Sequence, residues 1–395
     1  MSRIDDLIRE LCPDGVEHAG VLDVADYVRG ITYSKDDEDS AGAIQVLRAN
    51  NITLASNTLN LEDVKRVSGH VRVRDAQRLR AGDTLICAGS GSRDHIGKVA
   101  YIGEDIDPTF GGFMAVLRVS DARVKSRFLF HVLTSDRFKA HLDRSLSTST
   151  INNLNATVIR GFRVPVPPIE IQREIVGILD KFTQLEAELE AELEARRAQY
   201  DHYRRALLNG GGTDRSRMLP LGDVFEMRAG VHVKASEISD RPTEERPYPC
   251  YGGNGLRGFV SSHNYDESVI FVGRQGALCG NVHRAQGKIY ATEHAVVVTP
   301  KVPVDMSWAF HKLAEMNLNQ YKTKSAQPGL AVGRIKQVEV EYLPLEDQRR
   351  VGAVLDKLDA LVNDISIGLP AELAARRKQY EYYRDRLLTF KELAA

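Results

Sequence analysis

The chain of 395 residues alternates between two patterns of apolar positions. Short apolar runs broken by glycine and aspartate, such as VLDVADYV from Val21, TLICAG from Thr84 and FMAVLRV from Phe113, predict β-strands. Long stretches with apolar residues three and four positions apart predict helices. The alternation predicts an α+β protein in which two strand-rich globular domains are joined by two long helical regions.

The helical regions are two copies of one sequence. PIEIQREIVGILDKF from Pro168 matches PLEDQRRVGAVLDKL from Pro344, and ARRAQYDHYRRALL from Ala195 matches ARRKQYEYYRDRLL from Ala375. A repeat of about 180 residues is far longer than a solenoid unit, so a whole domain with its helix is duplicated. The duplication predicts an internal pseudo-twofold, and duplex DNA is a common partner with matching symmetry.

The strand-rich blocks are related more weakly. DTLICAGSG from Asp83 parallels SVIFVGRQG from Ser268, for example. We interpret the contrast as a shared task for the helices and separate tasks for the globular blocks, although helical sequences that merely diverge less visibly would give the same contrast. The predicted segments are an N-terminal helix (1–13), a first globular domain (14–165), a first helical region (166–208), a linker (209–216), a second globular domain (217–343) and a second helical region (344–390).

The apolar spacing in both helical regions is typical of a coiled-coil seam, and two such helices in one chain most simply pair antiparallel. The predicted pairing residues are Ile171, Ile175, Ile178, Phe182, Leu185, Leu189, Val351, Val354, Leu358, Leu361 and Ile365. The second copy is four residues longer between LDK and QY, and Gly368 and Pro370 predict a break or kink there. The short N-terminal helix is expected to pack near the end of the last helix.

A tandem tetrad, LEAE-LEAE-LEAR, runs from Leu185 to Arg196. Each tetrad adds about 6 Å of helix, which corresponds to at most about 2 base pairs of B-DNA. We therefore interpret the first helix as a molecular ruler, whose length sets the distance between two DNA-reading domains. The alternative is a solvated Glu/Ala/Leu helix retained for its helix propensity.

Charge and composition exclude some classes of protein but do not by themselves point to DNA. The net charge is −1, and the hydrophobic content of 43% is ordinary for a globular protein. The sequence has neither a long apolar run nor an apolar secretory leader, so we expect a cytoplasmic protein without a membrane partner. Its four cysteines lack the spacing of a metal site, and we expect no metal.

The segments that most resemble enzyme motifs do not match those motifs fully. GSRDHIGK from Gly91 has one residue too many for a phosphate-binding loop, and DPTF from Asp107 lacks the second proline of an adenine-methylase motif. We therefore expect no catalytic residue and no cofactor in this chain.

Candidate DNA contacts are basic and amide side chains in loops, together with the basic segment from Lys65 to Arg80. Each of them taken singly is also compatible with an ordinary solvated side chain. The candidates are Tyr33, Lys35, Arg48, Asn50, Lys65, Arg66, Arg72, Arg74, Ser92, Arg93 and Thr148 in the first domain, and His232, Lys234, Asn254, Arg274, Gln275, Lys322 and Lys324 in the second.

The alternation of two divergent globular domains with two near-identical helical regions resembles the specificity (S) subunit of a type I restriction–modification enzyme. VPVPPIEIQREIVGILDKF, ARRKQYEYYRDRLLTF and the opening ELCPDGVEHAGVLDV carry the resemblance, which spans essentially the full chain. It implies two target recognition domains that each read half of a bipartite DNA site, spaced by an antiparallel coiled coil.

The resemblance also implies partners. Two methylation subunits would dock on the helices and bring S-adenosylmethionine, and restriction (motor-nuclease) subunits would bring ATP hydrolysis, with its magnesium, and cleavage. One rival hypothesis is a coiled-coil adaptor that joins proteins without binding DNA. A second is an enzyme with an unrecognised site.

Overall fold

The computed structural model describes residues 3–54, 56–92, 95–146, 154–209, 216–276, 278–323, 328–364 and 366–393. The described helices, in chain order, are α1 (Arg3–Leu11), α2 (Val21–Val24), α3 (Ser126–Thr134), α4 (Asp136–Leu146), α5 (Ala156–Arg160), α6 (Ile169–Asn209), α7 (Leu221–Val224), α8 (Met306–Glu315), α9 (Val332–Ile335), α10 (Leu345–Asn363) and α11 (Leu369–Leu387).

The described strands are short, as the interrupted apolar runs predict. They are β1 (Glu17–Gly20), β2 (Ala25–Arg29), β3 (Ile44–Leu47), β4 (Ile52–Thr53), β5 (Thr58–Leu59), β6 (Lys65–Val67), β7 (Thr84–Cys87), β8 (Val99–Tyr101), β9 (Thr109–Phe110), β10 (Met114–Val119), β11 (Arg163–Val166), β12 (Arg217–Pro220), β13 (Phe225–Ala229), β14 (Tyr248–Gly252), β15 (Gly255–Val260), β16 (Tyr265–Asp266), β17 (Val269–Gly273), β18 (Val282–Ala285), β19 (Lys288–Ala291), β20 (Ala295–Pro300) and β21 (Glu339–Tyr342).

The chain forms two compact units, residues 1–189 with 373–395, and residues 190–372. In the first unit, an antiparallel sheet of order β2-β10-β7-β8 packs against α3, and a second sheet has the order β6-β3-β9. Strands β1 and β11 pair antiparallel, with Glu17 opposite Val166. The two ends of the first globular domain therefore meet just before α6 begins.

The second unit repeats this architecture. Its main sheet has the order β13-β20-β17-β18, a further sheet has the order β15-β14-β19-β16, and β12 pairs antiparallel with β21. The strand order of the main sheet and the pairing of the domain ends are the same in both units. The predicted pair of strand-rich domains with attached helices is thus confirmed.

One predicted strand begins late. The run from Val21 was expected to be strand throughout, but Val21–Val24 forms a helical turn and β2 starts only at Ala25. The Asp23 carboxylate accepts a hydrogen bond from the Gly20 N–H, which stabilises the start of the turn. The second unit has the corresponding turn at Leu221–Val224.

Helix α6 runs unbroken for 41 residues, whereas the second helical region is divided between α10 and α11. The break coincides with Gly368, where an added Cβ would lie 2.4 Å from the carbonyl oxygen of Ala360. Only glycine fits that approach, so the predicted interruption has a steric cause.

Within the first unit, α6 and α11 are antiparallel. The Phe182 ring lies 5.7 Å from the Tyr383 ring, and further along α6 the Glu186 carboxylate pairs with Arg377, an earlier residue of α11. Ile4 of α1 shares a hydrophobic cluster with Leu388, and Val16 pairs with the backbone of Lys391 and Leu393. The expected packing of the N-terminal helix near the end of the last helix is confirmed.

The predicted seam differs from the observed burial. Ile171 and Ile175 are buried in the core of the first unit, and Val351 is buried in the core of the second. Leu185, Val354 and Leu361 remain 47%, 43% and 39% exposed. Ile178, Phe182, Leu189 and Leu358 are half-buried, and Ile365 lies outside the described residues. The most buried helix positions therefore belong to the hydrophobic core of their own unit, because each helix must cover a globular domain as well as its helical neighbour.

Among the described residues, no helix has both the length and the apolar character needed to cross a bilayer.

Candidate nucleic-acid interface

Strand topology brings three loops of the first unit to one edge of its main sheet. Strands β2 and β7 both run antiparallel to β10, so they end at the edge where β10 begins. Tyr33 and Ser92 lie in the segments that follow β2 and β7, and Phe113 directly precedes β10. Phe113 is 74% exposed and lies against Gly89, where an added Cβ would be 2.8 Å from its ring.

The corresponding edge of the second unit is more polar. The His232 Nδ1 lies 2.9 Å from the Glu293 carboxylate, and the His294 Nε2 lies 3.2 Å from the same oxygen. The Gln275 amide oxygen is 2.8 Å from the other ring nitrogen of His294, and the Arg274 guanidinium donates to the Glu293 carbonyl at 3.4 Å. These five side chains make one polar cluster that contains three predicted contacts.

Two further predicted residues of the second unit lie beside this edge. Asn254 is exposed in the turn between β14 and β15, and the adjacent Gly253 packs against the backbone of His294 and Arg274. Lys322 is exposed, and the neighbouring Thr323 donates its N–H to the carbonyl of Gly329, which bridges to Gln275. Lys234 is exposed and precedes a short 3-10 turn.

The remaining candidates of the first unit are spread over its smaller sheet. Arg48 and Asn50 follow β3 and both approach the Asp63 carboxylate, at 3.6 and 3.5 Å. Lys65 pairs with Glu38, and Arg66 donates to the Gly42 carbonyl at 3.0 Å. Lys35, Arg72 and Arg74 are exposed. Arg93, Thr148 and Lys324 lie outside the described residues.

Glu293 organises the polar cluster electrostatically. Burial acts to raise the pKa of its carboxyl, but the hydrogen bond from His232 and the neighbouring charge of His294 outweigh burial and hold the pKa below its usual value. A carboxylate at this position fixes both imidazole rings, and both ring nitrogens of His294 are engaged, one by Glu293 and the other by Gln275.

Sequence reasoning missed Phe113, Glu293 and His294 because they stand directly before a strand rather than in an obvious loop. The available signal is the likeness of the two copies, in which FMAVLRV from Phe113 corresponds to EHAVVVT from Glu293.

A pocket of about 760 Å³ lies in the first unit beside α3, α4, α6 and α11. Its three guanidinium groups are each paired with a carboxylate, Arg127 with Asp180, Arg377 with Glu186 and Arg384 with Asp136. Within the described part of the chain, no group of three or more His, Cys, Asp or Glu side chains has a metal-binding arrangement.

The repeated helices dock on their domains through a buried glutamine. The Gln172 amide accepts from the Lys125 N–H at 2.8 Å and donates to the carbonyls of Arg123 and Pro167 at 2.7 Å. Gln348 accepts from the Asp305 N–H at 2.9 Å and donates to the Leu343 carbonyl at 2.7 Å. Both glutamines are 0% exposed, so the repeated EIQ and EDQ sequences mark the same joint in each unit.

Comparison with known proteins identifies the family. The model of the type I restriction modification DNA specificity domain matches residues 13–195 and again residues 215–375. This chain belongs to that family. Its members are the specificity subunits, which are not the catalytic subunits of type I restriction–modification systems.

Individual relatives agree with this assignment. The chain is 48% identical over 207 residues to the type I restriction enzyme EcoprrI specificity subunit of Escherichia coli, an alignment that covers 51% of this chain and 52% of that protein. The chain thus matches about half the length of that specificity subunit.

Two solved structures share the fold. A type I restriction–modification S subunit from M. genitalium has a TM-score of 0.58 at 15% identity, with 94% of this chain and 96% of that chain covered. A structure that addresses complex assembly and conformational transition of the type I system has a TM-score of 0.64 at 16% identity, with 95% and 98% covered.

Proposed function

We propose that this chain reads a bipartite DNA sequence, one half-site with each globular domain. The observation that carries the proposal is the recurrence of one sheet edge in both units, lined by different side chains. Equivalent edges with Tyr33, Ser92 and Phe113 in one unit and His232, Arg274 and Gln275 in the other suit two different half-sites. Arginine, amide and aromatic groups of this kind contact guanine, adenine and the thymine methyl group.

The chain acts in this proposal as a recognition and assembly subunit in the cytoplasm. Two methylation subunits bind its helical regions and supply S-adenosylmethionine, and restriction subunits supply ATP- and magnesium-dependent translocation and cleavage. The match of both halves of the chain to the specificity-domain family supports an assembly role of this kind.

The gap between the half-sites is set by helix length. The tandem tetrad of residues 185–196 lies inside the unbroken α6, so a change in tetrad number alters the length of a continuous rod. High helix propensity alone does not require that a four-residue sequence be repeated in tandem.

Mapping methylated bases in cells that carry this chain with its methylation partner tests the proposal directly. We expect one interrupted motif with two fixed half-sites and one fixed gap, which is absent when the chain is deleted. A gel-shift assay with the methylation partner and random DNA duplexes distinguishes the proposed DNA-reading subunit from the adaptor alternative, because an adaptor would not shift the DNA. Methylation of a continuous motif, or none that depends on this chain, would overturn the proposal.

A further inference from the structure

The first unit contains a buried histidine that joins three helices. His131 on α3 is 0% exposed, and its Nε2 lies 2.9 Å from the Asp180 carboxylate on α6. Its Nδ1 lies 3.4 Å from the hydroxyl of Tyr380 on α11. One imidazole ring therefore bonds the globular domain to both helices that support it.

The second unit contains the same constellation. His311 on α8 is 0% exposed, its Nε2 lies 3.0 Å from the Asp356 carboxylate on α10, and its Nδ1 lies 3.1 Å from the hydroxyl of Tyr200 on α6. The aspartate belongs to the repeated LDK sequence and the tyrosine to the repeated QY sequence. We call each histidine–aspartate–tyrosine set a latch.

An arginine completes each latch, and the two arginines come from different places. Arg127, four residues before His131, bonds Asp180 at 2.8 Å and lies 4.8 Å from the centre of the Phe130 ring. In the second unit the position four residues before His311 is Ser307, and the guanidinium comes instead from Arg284 on β18. Arg284 bonds Asp356 at 2.6 Å and lies 4.5 Å from the Phe310 ring.

The different origin of the arginine is informative, because the globular sequences have diverged while the contacts of the latch are the same in both units. Residues with no role would have drifted together with the surrounding surface. Both units bring together an arginine, an aspartate, a histidine and a tyrosine. The arginine lies on α3 in the first unit and on β18 in the second, so its position in the sequence differs. The arrangement itself, rather than a leftover stretch of sequence, has been kept.

The protonation of each latch follows from its surroundings. Burial lowers the pKa of both His131 and His311, more than the neighbouring aspartate raises it. A neutral ring that donates through Nε2 to the carboxylate accepts through Nδ1 from the tyrosine hydroxyl. Both nitrogens of each imidazole ring then have a hydrogen-bond partner on a supporting helix, and this network holds the domain against its helices.

We propose that His131 and His311 are positioning residues that set the orientation of each recognition domain on its helices and thereby the gap between DNA half-sites that the protein accepts. This inference rests on the proposed function, because the gap is meaningful only for a bipartite reader. It assigns the repeated LDK and QY residues a specificity role distinct from pairing helices with each other.

The test uses the full chain with its methylation subunits and a plasmid library in which the two half-sites are separated by every gap within three base pairs of the preferred one. Tyr380→Phe and Tyr200→Phe each remove only a hydroxyl and keep the ring. Tyr383→Phe and Tyr203→Phe, three residues further on in each QYxxY sequence, are the matched controls.

We expect wild type and both controls to methylate one gap strongly. Each latch variant should lose about fivefold in its preference for that gap over the neighbouring gaps, which is the factor that one hydrogen bond supplies, while the half-site sequences stay the same. If the latch variants keep the wild-type preference, or lose activity equally at every gap, the latch inference is wrong even though the bipartite function stands. If wild type itself shows no gap preference, the proposed function fails first.

A second variant pair guards against simple misfolding. Arg284→Ala should reduce gap preference, and Arg284→Ala combined with Ser307→Arg should restore it, because an arginine four residues before the histidine reaches the same carboxylate and ring in the first unit. A double variant that is as well folded as wild type in a thermal melt and still shows the relaxed gap of the single variant would overturn the proposal.

Discussion

At the scale of single residues, the repeated sequence is explained by contacts with the globular domains. Gln172 and Gln348 each bond backbone groups on both sides of a domain–helix junction. A buried amide that satisfies several backbone groups is costly to remove, because those groups cannot recover hydrogen bonds to water. This constraint accounts for the identity of the residue in both copies.

Gln172→Ala is expected to lower the apparent melting temperature by about 5 °C or more, since up to three buried hydrogen bonds are lost. Gln184→Ala, at an exposed glutamine of the same helix, should leave it within about 1 °C. Scanning calorimetry of both variants measures the difference, and equal melting temperatures would show that the Gln172 joint contributes nothing.

The latch histidines predict a dependence of stability on pH. Burial lowers their pKa in the folded protein, so as the pH falls the unfolded chain takes up these protons first, and the free energy of unfolding decreases below about pH 6.5. The double variant His131→Gln with His311→Gln should lose less stability than wild type between pH 7.5 and 5.5. Urea unfolding at both pH values measures this loss, with exposed His202→Gln as the control, and an unchanged slope in the double variant would contradict the prediction.

At the scale of elements, the two helical regions are similar in sequence but different in form. Helix α6 is continuous over 41 residues, whereas Gly368 divides the second region into α10 and α11. Only the continuous helix carries the tandem tetrad, so it is the element whose length a tetrad changes directly. The divided region contains the four extra residues between LDK and QY.

Deleting residues 189–192, one tetrad of α6, is expected to shorten the gap in the methylated site by about 1–2 base pairs, because four helical residues span about 6 Å. The half-sites should stay unchanged. Methylation mapping of the deletion variant measures both quantities. Altered half-site sequences with an unaltered gap would refute the ruler.

At the scale of the whole molecule, each globular domain is closed by a strand pair formed from its own two ends. Strand β12 pairs with β21, with Arg217 opposite Tyr342, just as β1 pairs with β11. A domain whose ends are paired in this way can be replaced as a piece, provided that the replacement brings the histidine of the latch and the backbone groups that meet the glutamine.

Replacing residues 217–341 with the corresponding domain of a relative is expected to change one half-site and leave the other half-site intact. Methylation mapping of the chimera checks this, and a reciprocal replacement in the first domain is the matched control. A chimera that alters both half-sites would show that the two domains do not read DNA independently.

The sequence by itself determined the duplication, the alternation of strand-rich and helical blocks, and the break near Gly368, because repeats, apolar spacing and glycine act through local chain geometry. It also gave the family resemblance, which lies in the repeated junctions. It proposed His232, Arg274 and Gln275 as DNA contacts from loop position and side-chain type; the three lie at one sheet edge, and their contact with DNA stays a prediction.

Only the tertiary structure decided which side chains meet. Asp180 and Tyr380 are 200 positions apart in sequence yet bond the same histidine, and Phe113 and His294 reach the sheet edges because of strand order. Helical spacing shows that Ile171 and Ile175 lie on one face but does not show what that face covers. The structure places them in the hydrophobic core of the first unit, since burial in a larger core removes more apolar surface from water than pairing with a single helix.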